Sequence, residues 1–441
     1  MGQKHRSTEA PKRGLARGSV LIAVAVALPA GGCALDNDPY PVAAAANKRE
    51  VVQPQQTAGA SSPTSRETQE ALVAGVDLPI PELLEQKPLE TVGPANATTE
   101  PFNSVSLMSP SPPDAPGRVS TEVVWVDLER RIEQRLRFDP QQLGQVAAQL
   151  TARGVNKPVR GDDASGAAAG PQTGLTPMGL SYGVDNRQFL GFWPSWPYTT
   201  VGRVHARGGT GTLVGRRVVL TCAHCITDEV AHAYWPQPWY FVPRQSNTGA
   251  PWGSLEVQGF MVGSYIATGC TEIGHGWAEC VPQDWALLVL KDNFPLGHPG
   301  WLGYASLGLQ DTINAANKRS PGYPCCGNPE SPFDGTLDCR VCGGPTAWTC
   351  SDFQWSQPSN CSIGGFEYSD LAFTHGCDMS PGHSGGPIFY DDGGNYYVIG
   401  ENSVQMCTTC VGAPNTANPN LARRIDNNLY GFISFLRALY P

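Results

Sequence analysis

From about residue 180 onward the chain is a series of short apolar runs separated by Gly, Pro and Asn. Thr200-Val201-Gly202-Arg203-Val204, Gly211-Thr212-Leu213-Val214, Val218-Val219-Leu220-Thr221, Ala286-Leu287-Leu288-Val289-Leu290 and Tyr396-Tyr397-Val398-Ile399-Gly400 are four or five residues long and rich in β-branched side chains. Runs of that length and composition predict strands rather than helices. The last segment has a different period. Leu429, Tyr430, Ile433, Leu436 and Leu439 lie on one helical face behind Asp426, an N-cap residue, so the chain is predicted to end in a helix. Many short strands with turn signals between them indicate an all-β barrel or sandwich.

The first 180 residues read differently. Residues 34–120 are rich in Ala, Pro, Ser, Thr and Gln without a sustained period, as in Ser109-Pro110-Ser111-Pro112-Pro113, and are expected to be a disordered linker. Two helices are predicted after them. Val124, Leu128, Ile132 and Leu136 recur every four residues across about 122–138. A second helix starts at Asp139-Pro140, a cap followed by Pro at the first helical position, and stops at Gly154. Residues 34 to about 175 thus have the layout of an exported pro-segment, and equally of a spacer.

The N-terminus indicates where the protein goes. A basic stretch (Lys4, Arg6, Lys12, Arg13, Arg17) precedes the nine apolar residues Val20–Leu28 and the small residues around Gly31-Gly32-Cys33-Ala34. That is the layout of a secretory signal. Cys33 is either the lipidated first residue of a bacterial surface lipoprotein or part of an ordinary cleavage site. No apolar stretch reaches the eighteen residues that a spanning helix needs, so no transmembrane helix is expected. The formal net charge is −9 although the leader is basic. An acidic body excludes a nucleic-acid partner, which would require a basic face.

Thirteen of the fourteen cysteines lie from Cys222 onward. Three pairs are closely spaced: Cys222/Cys225, Cys339/Cys342 and Cys407/Cys410. Such pairs can build a structural zinc site. In an exported chain they are read instead as a disulfide framework, with no metal or other cofactor. Cys270 and Cys280 are expected to pair. Six cysteines within 320–365 mark a cross-linked insertion, and connectivity does not follow from sequence.

Three motifs carry chemistry. In Pro381-Gly382-His383-Ser384-Gly385-Gly386-Pro387 the glycines allow a tight turn around a serine, so that the N–H groups of Gly382 and Ser384 can form an oxyanion hole. A serine hydroxyl needs a base, and the strand Val218–Thr221 runs into His224, which is thereby fixed at a strand end. Asp284 heads the apolar strand Ala286–Leu290. A buried carboxylate needs a partner, and an imidazole N–H would also set the tautomer that leaves the other ring nitrogen basic.

In this order, His224, Asp284, Ser384, the chain resembles the chymotrypsin-like serine peptidases. The Asp-Trp-Ala-Leu-Leu run, the Gly-x-Ser-Gly-Gly-Pro block and the terminal helix fall where that family has them. The resemblance covers about 180–441. Tyr182-Gly183-Val184-Asp185-Asn186-Arg187 resembles the mature start of the bacterial secreted branch that includes glutamyl endopeptidases, and Leu421-Ala422-Arg423-Arg424-Ile425-Asp426 its closing strand. The resemblance implies a double six-stranded antiparallel β-barrel with a C-terminal helix, and an exported serine endopeptidase acting on proteins or peptides. It implies His224 as base, Asp284 as its orienting partner and Ser384 as nucleophile. It also implies removal of the pro-segment between Leu175 and Gly183.

The departures matter. His383 stands where animal enzymes carry the Asp that pairs with a new N-terminus. The usual partner of Cys225 is replaced by Gly209, so Cys225 is expected to pair elsewhere, within the late cysteine set. The resemblance implies for Asp378, six residues before Ser384, either the base of a pocket selecting Arg or Lys, as in trypsin-type members, or a carboxylate bracing its own loop. Glutamyl endopeptidases use a histidine where this chain has Asn402. The other readings are a peptidase-like binding module without turnover and a disulfide-rich surface protein.

Overall fold

The computed structural model describes residues 66–89, 121–161 and, with interruptions, 187–441; the longer interruptions are 264–279, 327–348 and 405–419. The signal segment, Cys33, the processing region 175–183, Cys270, and the Cys339/Cys342 and Cys407/Cys410 pairs lie outside the described residues.

The strands of the two main sheets, in chain order, begin with β1 (Glu82–Pro88), β2 (Glu122–Asp127), β3 (Ile132–Arg137), β4 (Val201–His205) and β5 (Thr210–Leu213). They continue with β6 (Val218–Thr221), β7 (Tyr240–Pro243), β8 (Leu255–Gly263) and β9 (Ala286–Leu290). The second sheet uses β10 (Gly303–Tyr304), β11 (Ile363–Glu367), β12 (Ala372–His375), β13 (Pro387–Asp392), β14 (Asn395–Val404) and β15 (Asn420–Arg424). In the first sheet β8-β7-β4-β5-β6-β9 form a ring, closed by pairing of β8 with β9. This is a six-stranded antiparallel barrel. The second sheet runs β10-β14-β15-β12-β11, with β13 also on β14. Its pairs are antiparallel except β10 with β14, which is parallel over two residues.

Side-chain alternation explains why β6, up to its closing Thr221, and β9 are continuous apolar runs. Every residue of both strands is buried. Val219, Ala286, Leu288 and Leu290 face the barrel interior, with Trp239, Phe241 and Phe260. Val218, Leu220, Leu287 and Val289 face a second core, where Phe432, Ile433 and Leu436 of the C-terminal helix pack. A strand buried on both faces reads as a continuous apolar run. The predicted C-terminal helix is present as Asn427–Leu439, and the Asp426 side chain accepts the N–H groups of Asn428 and Leu429.

The helix predicted over 122–138 is a hairpin instead. β2 and β3 pair in register from Glu122↔Arg137 to Asp127↔Ile132. The turn is held by Arg130 N–H donating to Asp127 Oδ1 at 2.8 Å, with Arg131 at φ 57°. A spacing of four is even, so it suits period two as well as period 3.6. The deciding residues are Val123 and Val126, both with no exposed surface, which the helical pattern leaves off its apolar face. β-branched side chains on both faces suit a strand with neighbours on each edge. The second neighbour is β8: Gly259↔Asp127 through Gly263↔Val123. β7 pairs with the first residues of β8, so the hairpin covers the rest of that edge.

The second predicted helix is present as Pro140–Ala152, with Asp139 accepting from Gln141 N–H at 2.7 Å. It packs on the C-terminal helix. Gly431 lies so close to Leu143 that a Cβ there would stand 2.6 Å from Leu143 Cγ. In an isolated helix Gly→Ala stabilises by about 1 kcal/mol, whereas overpacking a core costs about 1–3 kcal/mol. Gly431→Ala is therefore expected to lower the thermal midpoint of the full chain. A chain that starts after the helix Pro140–Ala152, and so lacks Leu143, should instead gain stability from the same substitution. Calorimetry of both forms checks the sign reversal.

Candidate active site

The ladder between β6 and β9 sets the geometry. Ala286 is opposite Thr221, so Asp284, two residues before the strand, meets the short turn Ala223–Cys225 that follows Thr221. His224 N–H donates to Asp284 Oδ1 at 2.9 Å, and the ring Nδ1 is 2.7 Å from Asp284 Oδ2. Asp284 is 1% exposed. Ser403 Oγ, from β14 of the second sheet, donates to the same Oδ2. Burial by itself pushes the Asp284 carboxyl up. The His224 charge, its two hydrogen bonds and the Ser403 hydroxyl outweigh this and hold it below the ordinary value. An ionised Asp284 accepts a proton-bearing Nδ1, which leaves Nε2 with the lone pair.

Ser384 sits on a turn clamped between the two sheets. From β5, Thr210 Oγ1 donates to Gly382 O at 2.7 Å and Thr210 N–H to Ser384 O at 2.8 Å. From β14, Asn402 O accepts Gly385 N–H and Asn402 N–H donates to Gly386 O, both at 2.8 Å. Gly385 has φ 77°, and a Cβ there would stand 2.1 Å from Thr221 Oγ1. Only glycine fits that conformation and that space. The Ser384 carbonyl is 3.5 Å from Cys225 Sγ, so the turn lies beside the residue that follows His224. Among the described residues the N–H groups of Gly382 and Ser384 have no acceptor.

The structure therefore brings the neighbourhoods of His224, Asp284 and Ser384 together. Asp378 is 6% exposed, and its main chain accepts a hydrogen bond from the buried His383 ring. Asn402 is fully buried. Its Nδ2 donates to Ser320 Oγ at 2.7 Å, while Oδ1 has no partner among the described residues. His383 has no exposed surface, and Arg187 Nη1 is 3.4 Å from its ring nitrogens. Burial, and then the Arg187 charge, hold it well below the ordinary imidazole value.

Cys225 does not pair within the late cysteine set; it is bonded to Cys222. Gly209, at the usual partner position, faces Cys225, since a Cβ there would stand 2.5 Å from Cys225 Sγ. A second disulfide joins Cys361 to Cys377. Cys280 is also disulfide-bonded.

Ser403 was not among the residues that the sequence singled out. The available signal was the polar triplet Glu401-Asn402-Ser403 following the apolar Val398-Ile399-Gly400. Glu401 is another consequence of that triplet. It is fully buried, and neither carboxylate oxygen has a hydrogen-bond partner among the described residues. Arg423, opposite it in the ladder, is committed to Asp426 at 2.7 Å and to main-chain carbonyls. Burial, with Asp284 adding and Arg423 opposing, pushes Glu401 well above the ordinary value. The folded state keeps this proton while the unfolded state releases it above about pH 4.3. Stability on this account falls as pH rises from there. Glu401→Gln should therefore raise the thermal midpoint more at pH 8 than at pH 5. Parallel midpoint-against-pH curves would refute the assignment.

Residues 209–400 match the family model described as a trypsin-like peptidase domain. No curated protein matches the chain by sequence. Among solved structures it is similar to a Glu endopeptidase, at 16% identity over 59% of this chain and 100% of that one, with a TM-score of 0.40. It is also similar to the protease Anisep from Arthrobacter nicotinovorans, at 14% identity over 56% and 99%, with a TM-score of 0.37. A third is the thermostable serine protease AL20 from an extremophilic microorganism, at 13% identity over 54% and 97%, with a TM-score of 0.36.

Proposed function

The chain carries a trypsin-like peptidase domain over residues 209–400, and on that premise we propose that it is an exported serine endopeptidase working through Ser384, His224 and Asp284. The observation that carries this reading is the His224–Asp284 pair on the first barrel, locked by Ser403 of the second sheet. His224 Nε2 takes the Ser384 hydroxyl proton as Oγ attacks the peptide carbonyl. The tetrahedral oxyanion is held by the N–H groups of Gly382 and Ser384. His224 then gives that proton to the leaving amine, and an acyl-enzyme forms. Water, deprotonated by the same nitrogen, attacks the ester and restores Ser384. Asp284 keeps the imidazole in one tautomer and stabilises its cation.

Export follows from the signal layout of residues 1–33. No described helix is long and apolar enough to cross a membrane. The hairpin β2–β3 and the helix Pro140–Ala152 are hydrogen-bonded to or packed on the catalytic body. A cut between Leu175 and Gly183 would leave them attached through those contacts.

For specificity, Asp378 and Asn402 Oδ1 both offer acceptors. Acceptors favour a donor-bearing side chain, Arg or Lys, before the cleaved bond. Peptides differing only at that residue should be cut fastest with Arg or Lys, and Asp378→Ala should reduce this preference by at least about 10-fold in kcat/KM, the scale of a lost ionic contact. Equal cleavage after Phe, Glu and Arg, or intact preference in the variant, would reject the pocket role.

A further inference from the structure

Cys222, His224 and Cys225 place two sulfurs and a ring nitrogen within 4.8 Å of one another. In the disulfide state the two cysteines bracket His224 in a turn whose ends are 5.5 Å apart at Cα. Cys222 Sγ is 3.5 Å from His224 Nε2, the nitrogen assigned above as the base. Zinc bonds of about 2.3 Å to sulfur and about 2.05 Å to nitrogen at tetrahedral angles give an S···N edge of about 3.5 Å. One edge of a zinc tetrahedron is thus already in place. Of the two remaining edges among these three ligands, S···S requires the sulfurs to part to about 3.8 Å, and Cys225 Sγ···N starts within 4.8 Å. On the far side of the ring, Asp284 accepts the Nδ1 proton, the partner that zinc-bound imidazoles ordinarily have.

We propose that this turn is a thiol-dependent zinc latch on the peptidase, a regulation that rests on the reading of His224 as base. In the oxidised state the sulfurs are bonded to each other and Nε2 keeps its lone pair for catalysis. A dithiol reductant breaks the Cys222–Cys225 bond. It becomes a disulfide itself, and its two protons end on the cysteine sulfurs. Zinc then binds both sulfurs and Nε2, and the two thiol protons leave to solvent. A water takes the fourth position. The lone pair that would accept the Ser384 proton is now held by the metal, so acylation stops. Reoxidation by a disulfide oxidant takes two electrons from the thiolates, restores the bond and releases the zinc. The sulfurs are buried, at 0% and 1% exposure, while the His224 side chain is 19% exposed. The metal therefore enters from the histidine side.

The test uses the full chain, oxidised or reduced with a phosphine under argon. Cobalt(II) is added first, and the near-ultraviolet thiolate-to-cobalt band is recorded. The rate of serine labelling by a fluorophosphonate probe is then measured with and without micromolar zinc. Reduced wild type should show the cobalt band. Its labelling should slow at least about 100-fold in zinc, the scale of losing a general base, and recover on chelation. Oxidised wild type should show no such loss. Cys222→Ala/Cys225→Ala, treated with phosphine, should lack most of the band and show a zinc ratio near one. If that variant does not fold, the contrast between oxidised and reduced wild type decides. No band in the reduced protein, a band of equal size in the double variant, or equal zinc sensitivity in both redox states would overturn the proposal. Absence of labelling in every state without zinc would instead defeat the peptidase reading, and the cobalt band would still decide whether the metal site exists.

Discussion

Ser384→Ala should lower peptide-bond hydrolysis by about 10⁶-fold while leaving the thermal midpoint within a degree or two of wild type, because a triad acts as one unit. The two halves of this expectation have separate causes. Activity depends on Oγ, which supplies the electron pair for the attack. Folding of the turn depends on main-chain bonds from Thr210 and Asn402 and on the glycine at 385, none of which uses the serine hydroxyl. His224→Ala should be about as damaging. Turnover above the uncatalysed rate should persist at roughly 10³-fold, from the Gly382 and Ser384 N–H groups and from substrate binding. Hydrolysis of a chromogenic peptide, with the midpoint measured on the same preparation, gives both numbers. Unchanged turnover in purified Ser384→Ala protein would remove Ser384 from the mechanism.

Asp284→Asn should cost about 10⁴-fold in kcat, the loss found when an orienting carboxylate becomes an amide. The reason lies in the direction of one proton. Asp284 Oδ2 now accepts from His224 Nδ1 and from Ser403, while Oδ1 accepts the His224 main-chain N–H. An amide turned to keep the Oδ1 bond presents its NH₂ to Nδ1. The ring must then carry its proton on Nε2, where no lone pair is left to receive the Ser384 proton. The pH dependence separates this from a structural effect. The wild-type rate should fall as acid protonates His224, in a single-proton limb, because Asp284 is held below the ordinary carboxyl value and stays ionised there. The variant should keep its fold, and should lose both turnover and fluorophosphonate labelling rate across neutral pH. A rate that stays flat in wild type from neutral to about pH 4 would point to a base other than an imidazole.

Several elements were legible because their determinants are local. β6 and β9 are short apolar runs that admit no other structure when both faces are buried. The helices Pro140–Ala152 and Asn427–Leu439 carry their own caps, Asp139 and Asp426. The three catalytic candidates were legible as residue types in a fixed order, each at the mouth of such an element. The hairpin β2–β3 was not, because a four-residue spacing serves either period and only the edge of β8 decides between them. Ser403 and Glu401 were hidden in one polar triplet. Which of them reaches Asp284 depends on the pairing of β14 with β15 and on its position across the interface between the sheets. The Cys222–Cys225 bond was hidden for the same kind of reason. The three-residue spacing permits it, and the turn after β6, which sets the two Cα atoms 5.5 Å apart, brings the sulfurs together. Sequence by itself determined the elements whose signals are local, β6, β9 and the two capped helices, and which side chains are chemically able to act, since period, propensity and capping are properties of neighbouring residues. Tertiary structure alone decided which of those side chains meet, because a ladder that joins Thr221 to Ala286 places His224 against Asp284 through pairing between segments far apart in the chain.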